Sequence, residues 1–268
     1  MSKKETILKS DFILSFGSMF ACDKDSIKSS IIEAIKKNSA IFTYMHPIDN
    51  VELKDYYKQF IKYEVGSEEG ICTLLLDTFV KECDEKTRAF IDDLDLGYIS
   101  AESSAGEEEF EESYENYKNS KNRVLIVGDD LLGHEKIENI IRLLALIKKY
   151  TSFELVILND DLENKINSCT SFDLEEIEEL KSFNGTLVYE LIDENNNDEL
   201  IASRTFANIA KVANNNEVCI TFDKEKIKRT LKIDENLNGT IAILKTNNND
   251  DIFNGYKYKQ VKIEKVEV

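Results

Sequence analysis

The first 64 residues alternate short apolar runs with a stretch in which apolar residues recur at helical spacing. Residues 12–16 form one apolar run, and residues 40–45 form a second. Between them, isoleucines recur at three- and four-residue intervals over 27–35, after Asp25 as an acceptable helix cap. A strand, a crossover helix and a second strand predict a right-handed parallel βαβ unit.

The chain then becomes helical in pattern and strongly acidic. Helical periodicity continues through 56–63 and 72–79, and acidic residues dominate 102–115. This acidic segment is either an exposed helix capped near Ser104 or a mobile linker, and we favour an exposed helix on a domain edge. We take residues 1–120 as a first α/β portion that ends in this segment.

A second βαβ unit gives the clearest pattern in the chain. Residues 123–127 (RVLIV) predict a strand rich in β-branched residues, and 128–130 form a turn. The apolar face of a helix follows over 137–147, and 153–158 form the returning strand. We assign this unit to residues 121–184.

From Gly185 the pattern changes to the two-residue alternation of half-buried strands. The predicted strands are 186–189, 218–222, 239–244 and 256–266. The turns between them are rich in asparagine, at 195–197, 214–216 and 247–249, which suits chain reversals. The sequence therefore predicts an α/β fold with parallel βαβ units and a small C-terminal antiparallel β module over 185–268.

The net charge of −18 excludes a typical nucleic-acid surface, which needs an excess of lysine and arginine. The charge is uneven: residues 221–268 contain ten Lys/Arg and eight Asp/Glu, so the first 220 residues carry −20. An acidic body with a near-neutral tail suggests that the tail meets a partner, because acidic surfaces repel one another. An acidic surface that serves solubility alone explains the balance equally well.

No apolar stretch is long enough to span a membrane, and the first residues lack the apolar segment of a signal peptide. We expect a cytoplasmic protein without direct membrane insertion. The five cysteines include no C-x-x-C pair, as is usual where thiols stay reduced, and they are interpreted as small core residues.

Gly128 and Gly133 have the spacing of a phosphate-binding loop between a strand and a helix. The lysine and hydroxyl residue of such a loop are replaced by His134 and Glu135, and the aspartates at 129–130 would repel a phosphate. We interpret this segment as a structural turn.

Other candidate chemistry is incomplete. Residues 134–138 begin like a zinc-protease helix, but Glu138 stands where the second histidine is needed. His46, beside Pro47, is interpreted as a turn residue, and Ser67 has no histidine nearby in sequence. The residues therefore predict no catalytic residue, no metal site and no cofactor.

Several short sequence segments occur in the same order as similar segments in a known protein family. They are 11–17 (DFILSFG), 40–48 (AIFTYMHPI), 60–70 (FIKYEVGSEEG), 96–103 (LGYISAES) with 106–108 (GEE), and 124–131 (VLIVGDDL) with Asn139 and Ile140. In these residues the chain resembles the molybdopterin-oxidoreductase-like domain in the large iron–sulfur subunit of bacterial NADH-quinone oxidoreductase, respiratory complex I. The segment at Gly185 and Thr186 is similar to the start of that family's closing β region.

The resemblance implies membership of a complex I-type assembly without its chemistry. The cysteine motifs that hold the clusters of the large iron–sulfur subunit lie in a region that this sequence lacks. Some bacterial complex I operons replace the two NADH-oxidising subunits by unrelated short proteins and take electrons from a reduced carrier such as flavodoxin or ferredoxin. By this resemblance, the chain is a candidate for one of these short proteins, in the position of the flavin- and NADH-binding subunit.

We therefore expect a non-catalytic accessory subunit that packs on the peripheral arm, contacts the large iron–sulfur subunit and is attached to the inner membrane through the complex. One alternative is a flavin-binding electron-transport subunit that uses the turns near Gly17 and Gly128 to hold phosphate. Another is a free-standing soluble binding protein.

The tail offers one candidate contact surface for a partner. It comprises Lys257, Lys259, Lys262 and Lys265 on the last predicted strand. Since flavodoxins and ferredoxins are generally acidic, this tail rather than the acidic body would receive them. The alternative is that these lysines protect an edge strand from pairing with other chains.

Overall fold

The structure is a computed structural model that describes residues 2–21, 26–170, 173–193, 198–247 and 255–266. The chain forms two compact units, residues 1–182 and 183–268. The predicted α/β class is confirmed. The predicted cap Asp25, the turn 195–197 and two residues of the last asparagine-rich turn, 248 and 249, lie outside the described residues.

The first unit is built on a five-stranded sheet in which every strand is parallel to its neighbours. Its strands are β1 Phe12–Phe16, β2 Ile41–Met45, β3 Gln59–Ile61, β4 Arg123–Val127 and β5 Phe153–Ile157. Their order is β3-β2-β1-β4-β5. The chain thus builds outward from β1 on one side and then returns to build on the other. The nearly continuous apolar runs of β1 and β4 suit strands that are buried on both faces.

Helices cover both faces of this sheet. They are α1 Lys3–Lys9, α2 Ile27–Asn38, α3 Glu68–Phe79, α4 Glu85–Asp92, α5 Leu96–Ser103, α6 Glu107–Lys118, α7 Ile137–Tyr150 and α8 Asp160–Ser168. Side chains of α1 and α2 form one core with the sheet, and those of α3, α6 and α7 form the larger core on the opposite face. The parallel strands and their crossover helices therefore form three layers.

Two local predictions in this unit need correction. Residues 56–63 have helical periodicity, but 59–61 form β3, because pairing with β2 outweighs the local preference. The acidic segment is helical, as the favoured interpretation expected, but Ser104 is the C-cap of α5, and the N-cap of α6 is Gly106. Since α6 buries Phe110 and Tyr117, only one of its faces meets solvent.

The two predicted portions 1–120 and 121–184 share one sheet. β4 pairs with β1 over its whole length, from Phe12 beside Arg123 to Phe16 beside Val127. The predicted boundary at 120 therefore falls inside a compact unit. The division between the two units lies at 182–183.

The second unit is a sheet with one helix. Its strands are β6 Leu187–Ile192, β7 Glu199–Ala202, β8 Glu217–Phe222, β9 Glu225–Ile233, β10 Ile241–Thr246, β11 Tyr258–Gln260 and β12 Lys262–Lys265, and its helix is α9 Arg204–Ala210. The pairs β6/β10 and β7/β9 are parallel. The predicted C-terminal β module is present and contains antiparallel pairs alongside these two parallel ones, because strands adjacent in sequence are not always neighbours in the sheet.

The last predicted strand is divided, and its two parts close the sheet. The strand order β11-β6-β10-β7-β9-β8-β12 places β11 and β12 at opposite ends. Only Val261 separates them in sequence, and its N–H donates to Thr186 O over 3.0 Å. One bent segment thus pairs with β6 on one side and with β8 on the other, which closes the sheet into a barrel.

Inward-facing apolar side chains fill this barrel. Val188, Leu200, Val218, Leu231 and Leu244 come from five different strands and belong to one cluster with Phe206 of α9. Each is fully buried. The two-residue alternation of the sequence therefore corresponds to the inside and outside of the barrel.

Candidate functional site

The most concentrated chemistry of the described residues lies at the carboxyl edge of the parallel sheet. Parallel strands end on the same side, and ligands of such sheets bind where the strand order reverses, here between β1 and β4. Buried polar side chains from the loops and helix starts after β2, β3 and β4 meet there, and six of them form three pairs. We call them the edge cluster: His46, Glu68, Glu69, Asp130, His134 and Asn139.

Two glycines bring the turns after β1 and β4 into direct contact. A Cβ atom on Gly128 would lie 1.8 Å from Gly17 O, and one on Gly17 would lie 2.9 Å from Leu131. The N–H of Gly128 donates to Phe16 O over 2.8 Å, and that of Asp130 donates to Gly17 O over 3.1 Å. The turns therefore meet each other and leave no gap where a phosphate would sit between them.

His46 and Asp130 form the first pair of the edge cluster. His46 Nε2 lies 3.0 Å from Asp130 Oδ2, and the two side chains are almost fully buried. Nε2 donates to the carboxylate, which as an ionised group can only accept, and Nδ1 lies 3.0 Å from both the N and the O of Ile48. The ring of Tyr44 stacks on His46 with centroids 5.7 Å apart. Both ring nitrogens of His46 are thus engaged within the protein.

His134 and Glu68 form the second pair. His134 Nε2 lies 3.3 Å from Glu68 Oε2 and 3.2 Å from Gly66 O, while Nδ1 accepts from the N–H of Lys136 over 3.0 Å. Burial, the largest single effect, lowers the pKa of His134, but Glu68, the carbonyl of Gly66 and Glu69 together raise the pKa above its usual value. Glu68 therefore favours the protonated ring, whereas the N–H of Lys136 favours a neutral ring with a free lone pair on Nδ1.

Glu69 and Asn139 form the third pair, across the starts of α3 and α7. Asn139 Nδ2 donates to Glu69 Oε1 over 2.7 Å, and Asn139 Oδ1 accepts from the N–H of Glu175 over 3.1 Å. Burial raises the pKa of Glu69, although the hydrogen bond from Asn139 opposes the rise. Asn139 thereby links α3, α7 and the segment that contains Glu175.

The edge cluster perturbs its neighbours as well. Burial first, and the charge of Asp130 second, raise the pKa of Tyr44, whose hydroxyl donates to Ile48 O over 3.1 Å. Burial and the charges of Glu69 and Glu68 raise the pKa of the Cys72 thiol. Both groups are therefore held neutral at physiological pH, and the Cys72 thiol is a core group rather than a nucleophile.

The geometry suits structural rather than catalytic work. A general base needs a nitrogen that can reach a substrate proton, and both nitrogens of His46 and of His134 already face protein groups. Ser67 Oγ donates to Glu64 O over 2.6 Å, so it is not aligned with a histidine as a nucleophile would be. The carboxylates of the cluster also place negative charge at helix starts, where a phosphate would otherwise bind.

The four predicted contact lysines lie in the second unit, around the bend at Val261. Lys259 of β11 lies 2.9 Å from Asp223, and Lys262 of β12 lies 2.7 Å from Glu264. Lys257 lies before β11, with its ammonium 6.0 Å from the ring of Tyr189, and Lys265 is exposed at the end of β12. Their role in partner contact stays a prediction.

Among the described residues, neither the cysteines nor the potential metal ligands form a further candidate site. Cys72, Cys83, Cys169 and Cys219 are free thiols, and Cys22 lies outside the described residues. Over the described ranges, no group of three or more His, Cys, Asp or Glu side chains is arranged to hold a metal ion. Among the helices that the structure describes, none has the length and apolar character needed to cross a membrane.

Sequence reasoning considered His46, His134 and Asp130 one at a time and did not bring them together. It missed Glu68 and Glu69, which follow a strand that the pattern had assigned to a helix. The available signal was positional: polar residues after several parallel strands meet at one edge. A comparison with models of known protein families and one with curated proteins both find no match to this chain.

Proposed function

We propose that the chain is a non-catalytic accessory subunit of a complex I-type NADH-quinone oxidoreductase. In this proposal it packs on the peripheral arm beside the large iron–sulfur subunit, is attached to the inner membrane only through the complex, and shapes the site where a reduced flavodoxin or ferredoxin delivers electrons. The resemblance of its short sequence segments to the large iron–sulfur subunit is the reason for proposing a complex I-type assembly. The closed carboxyl edge of the sheet is the observation that supports a role without chemistry.

The closed edge supports this role because an open crevice is what a doubly wound sheet normally offers to a cofactor. Here the backbone N–H groups of Gly128 and Asp130 are bound to carbonyls of the β1 turn. The histidines of the edge cluster are bound to carboxylates of the same chain. A flavin held by the turns near Gly17 and Gly128 would have to displace these contacts, which counts against that alternative.

Co-purification tests the proposal. An affinity-tagged chain, expressed in its own cells in place of the untagged one, should be recovered from mildly solubilised membranes together with the large iron–sulfur subunit and its cluster absorption. The Gly128→Ala variant, which we expect to disturb the first unit, serves as the control and should recover less of that subunit. A chain that is recovered alone, from the soluble fraction, would favour a free-standing binding protein.

The absorption spectrum of the purified chain separates the accessory role from the flavin-binding alternative. We expect a colourless protein with only its tyrosine and phenylalanine bands. A flavin band that persists through gel filtration would favour the alternative, since a bound flavin carries its own visible absorption.

A further inference from the structure

A groove of about 560 Å³ lies on the surface of the first unit, between α3 and α6 and beside the start of α5. Its apolar residues are Leu74, Leu96, Phe110 and Tyr114. Phe110 and Leu74 are buried, whereas Leu96 and Tyr114 are partly exposed. The volume is in the range of clefts that take several side chains of a partner or a small ligand.

Carboxylates surround these apolar residues. The groove is lined by six of them and by a single lysine, Lys81; the carboxylates are those of Asp77, Glu107, Glu108, Glu111, Glu112 and Glu115. Over the described part of the chain, no ion pair involves Glu107, Glu108 or Glu111. The groove therefore presents a strongly negative rim around an apolar base.

The helix dipole does not account for this charge. Acidic residues in the first turn stabilise a helix, which explains Glu107 and Glu108. Glu111 and Glu115 lie beyond that turn, and the pairs 107/111, 108/112 and 111/115 place like charges four residues apart. Each such pair destabilises a helix by about 0.2–0.5 kcal/mol. The helix thus carries charges that oppose its own folding, as functional surfaces often do.

Cations of the chain itself already occupy the groove's aromatic ring. The ammonium of Lys81 lies 5.1 Å from the centroid of Tyr114, and that of Lys118 lies 5.3 Å from it. Lys118 also pairs with Glu115 over 2.7 Å. An aromatic ring edged by carboxylates is a favourable place for ammonium and guanidinium groups.

We propose that this groove docks a basic amphipathic helix of a partner protein, in which lysine or arginine flanks apolar side chains. The apolar side chains contact Leu96, the basic ones pair with Glu107, Glu108 and Glu111, and Lys81 and Lys118 stay over the ring of Tyr114. Charge complementarity selects the partner, because the first unit contains 22 Lys/Arg and 38 Asp/Glu and repels acidic surfaces. The docking surface itself does not depend on the proposed accessory role. Only the statement that the partner belongs to the same assembly rests on that role.

Peptide binding to the full chain tests the groove without requiring that assembly. The probe is a fluorescent helical peptide of about 15 residues, with leucines on one face and lysines on the other. We expect the triple variant Glu107→Gln, Glu108→Gln, Glu111→Gln to weaken binding about tenfold or more at low salt, since three ion pairs are lost. Added salt should narrow this difference.

A matched variant distinguishes the groove from the general charge of the unit. Glu176→Gln, Glu178→Gln, Glu179→Gln removes the same charge from exposed positions of the same unit and should bind the peptide within about twofold of wild type. Equal weakening in both triple variants would overturn the proposal. So would equal binding of a peptide in which the leucines are replaced by serine, because the apolar base would then contribute nothing.

The outcome is separable from that of the co-purification experiment. If peptide binding depends on the groove but the chain is recovered without the large iron–sulfur subunit, the docking surface is retained and the complex I assignment is rejected. If the triple variant of the groove is recovered with the large iron–sulfur subunit as efficiently as wild type, the complex I assignment is retained. The contact with that subunit then lies elsewhere on the chain.

Discussion

The two units of this chain differ in where they keep their charged groups. The first unit has 38 Asp/Glu against 22 Lys/Arg, and the second has 14 against 12. Among the described residues the first unit buries its edge cluster, whereas the barrel buries one carboxylate, Glu190, which accepts from Thr246 Oγ1 over 3.0 Å. The main cluster of side chains inside the barrel is apolar.

The difference follows from the way each sheet ends. A doubly wound parallel sheet has an open crevice at its carboxyl edge where the strand order reverses. In the first unit that crevice is closed by buried hydrogen-bonded pairs of polar side chains, which are tolerated in a core only when each group has a partner. A closed barrel has no such edge, so apolar side chains can fill most of its interior.

Gly128→Ala should have the largest effect, because the new Cβ would stand 1.8 Å from Gly17 O. Neither backbone turn can move away without breaking the β1/β4 contact, so we expect a loss on the order of 4 kcal/mol or more in the free energy of unfolding. Hydrogen exchange measured by mass spectrometry should show lost protection in 1–182 and unchanged protection in 183–268.

Gly97→Ala is the matched control for that variant. Gly97 lies within α5, and its added Cβ would come no nearer than 3.6 Å to Asp95 Oδ1. Alanine favours a helix over glycine by up to about 1 kcal/mol, so this variant should be as stable as wild type or more so. A Gly128→Ala protein with normal stability would show that the two turns are not in rigid contact.

Phe206→Ala should have the next largest effect and should act on the other unit. Phe206 of α9 is fully buried in the barrel cluster. Its truncation leaves a cavity, and we expect a loss of about 3–5 kcal/mol by denaturant titration, with increased exchange confined to 183–268. Ile209→Ala, on the same helix but 50% exposed, should change stability by no more than about 0.5 kcal/mol. Exchange that rises equally in both units would mean that they unfold together.

Much of the fold could be predicted because burial and secondary structure agree locally. β1, β2, β4 and β5 are apolar runs, and the helices α2 and α7 between them have one apolar face, so the pattern shows them directly. β9 was missed because only Leu231 of its nine residues is buried. β3 was missed because it has three residues and depends on pairing with β2.

The candidate sites were harder to predict, because they depend on residues that are distant in sequence. His46 and Asp130 are 84 residues apart, and Glu69 and Asn139 are 70 apart, so no local motif contains either pair. The acidic segment was visible in the sequence, but the groove was not, since α3 supplies its other wall. Composition therefore indicates a charged surface, whereas tertiary packing gives that surface a shape.

Asp130→Ala should have an intermediate effect, which tests whether the buried pairs of the first unit are fully satisfied. The substitution leaves His46 Nε2–H buried without its acceptor, 3.0 Å away in the native protein. Leaving such a group unpaired costs about 1–3 kcal/mol in the free energy of unfolding. Asp130→Asn keeps an oxygen that can accept from Nε2–H and should cost less. Equal losses in the two variants would mean that the charge of Asp130, rather than its hydrogen bond, stabilises the fold.

The smallest effect should come from the second buried pair and should appear as a pH dependence. The pKa of His134 is raised above its usual value of 6.5, because Glu68, the carbonyl of Gly66 and Glu69 together outweigh the effect of burial. A raised pKa in the folded state means that the protonated histidine stabilises the fold. That stabilisation is complete below the unfolded pKa and is lost as the pH rises through the folded one. Unfolding of wild type and of His134→Gln should therefore differ most at about pH 6 and less at about pH 8.5. Glu69, whose raised pKa acts in the same direction, is present in both proteins, so its contribution largely cancels in the difference. A difference that grows with pH would show that His134 is held neutral, and that Gly66 O rather than the charge of Glu68 is its main partner.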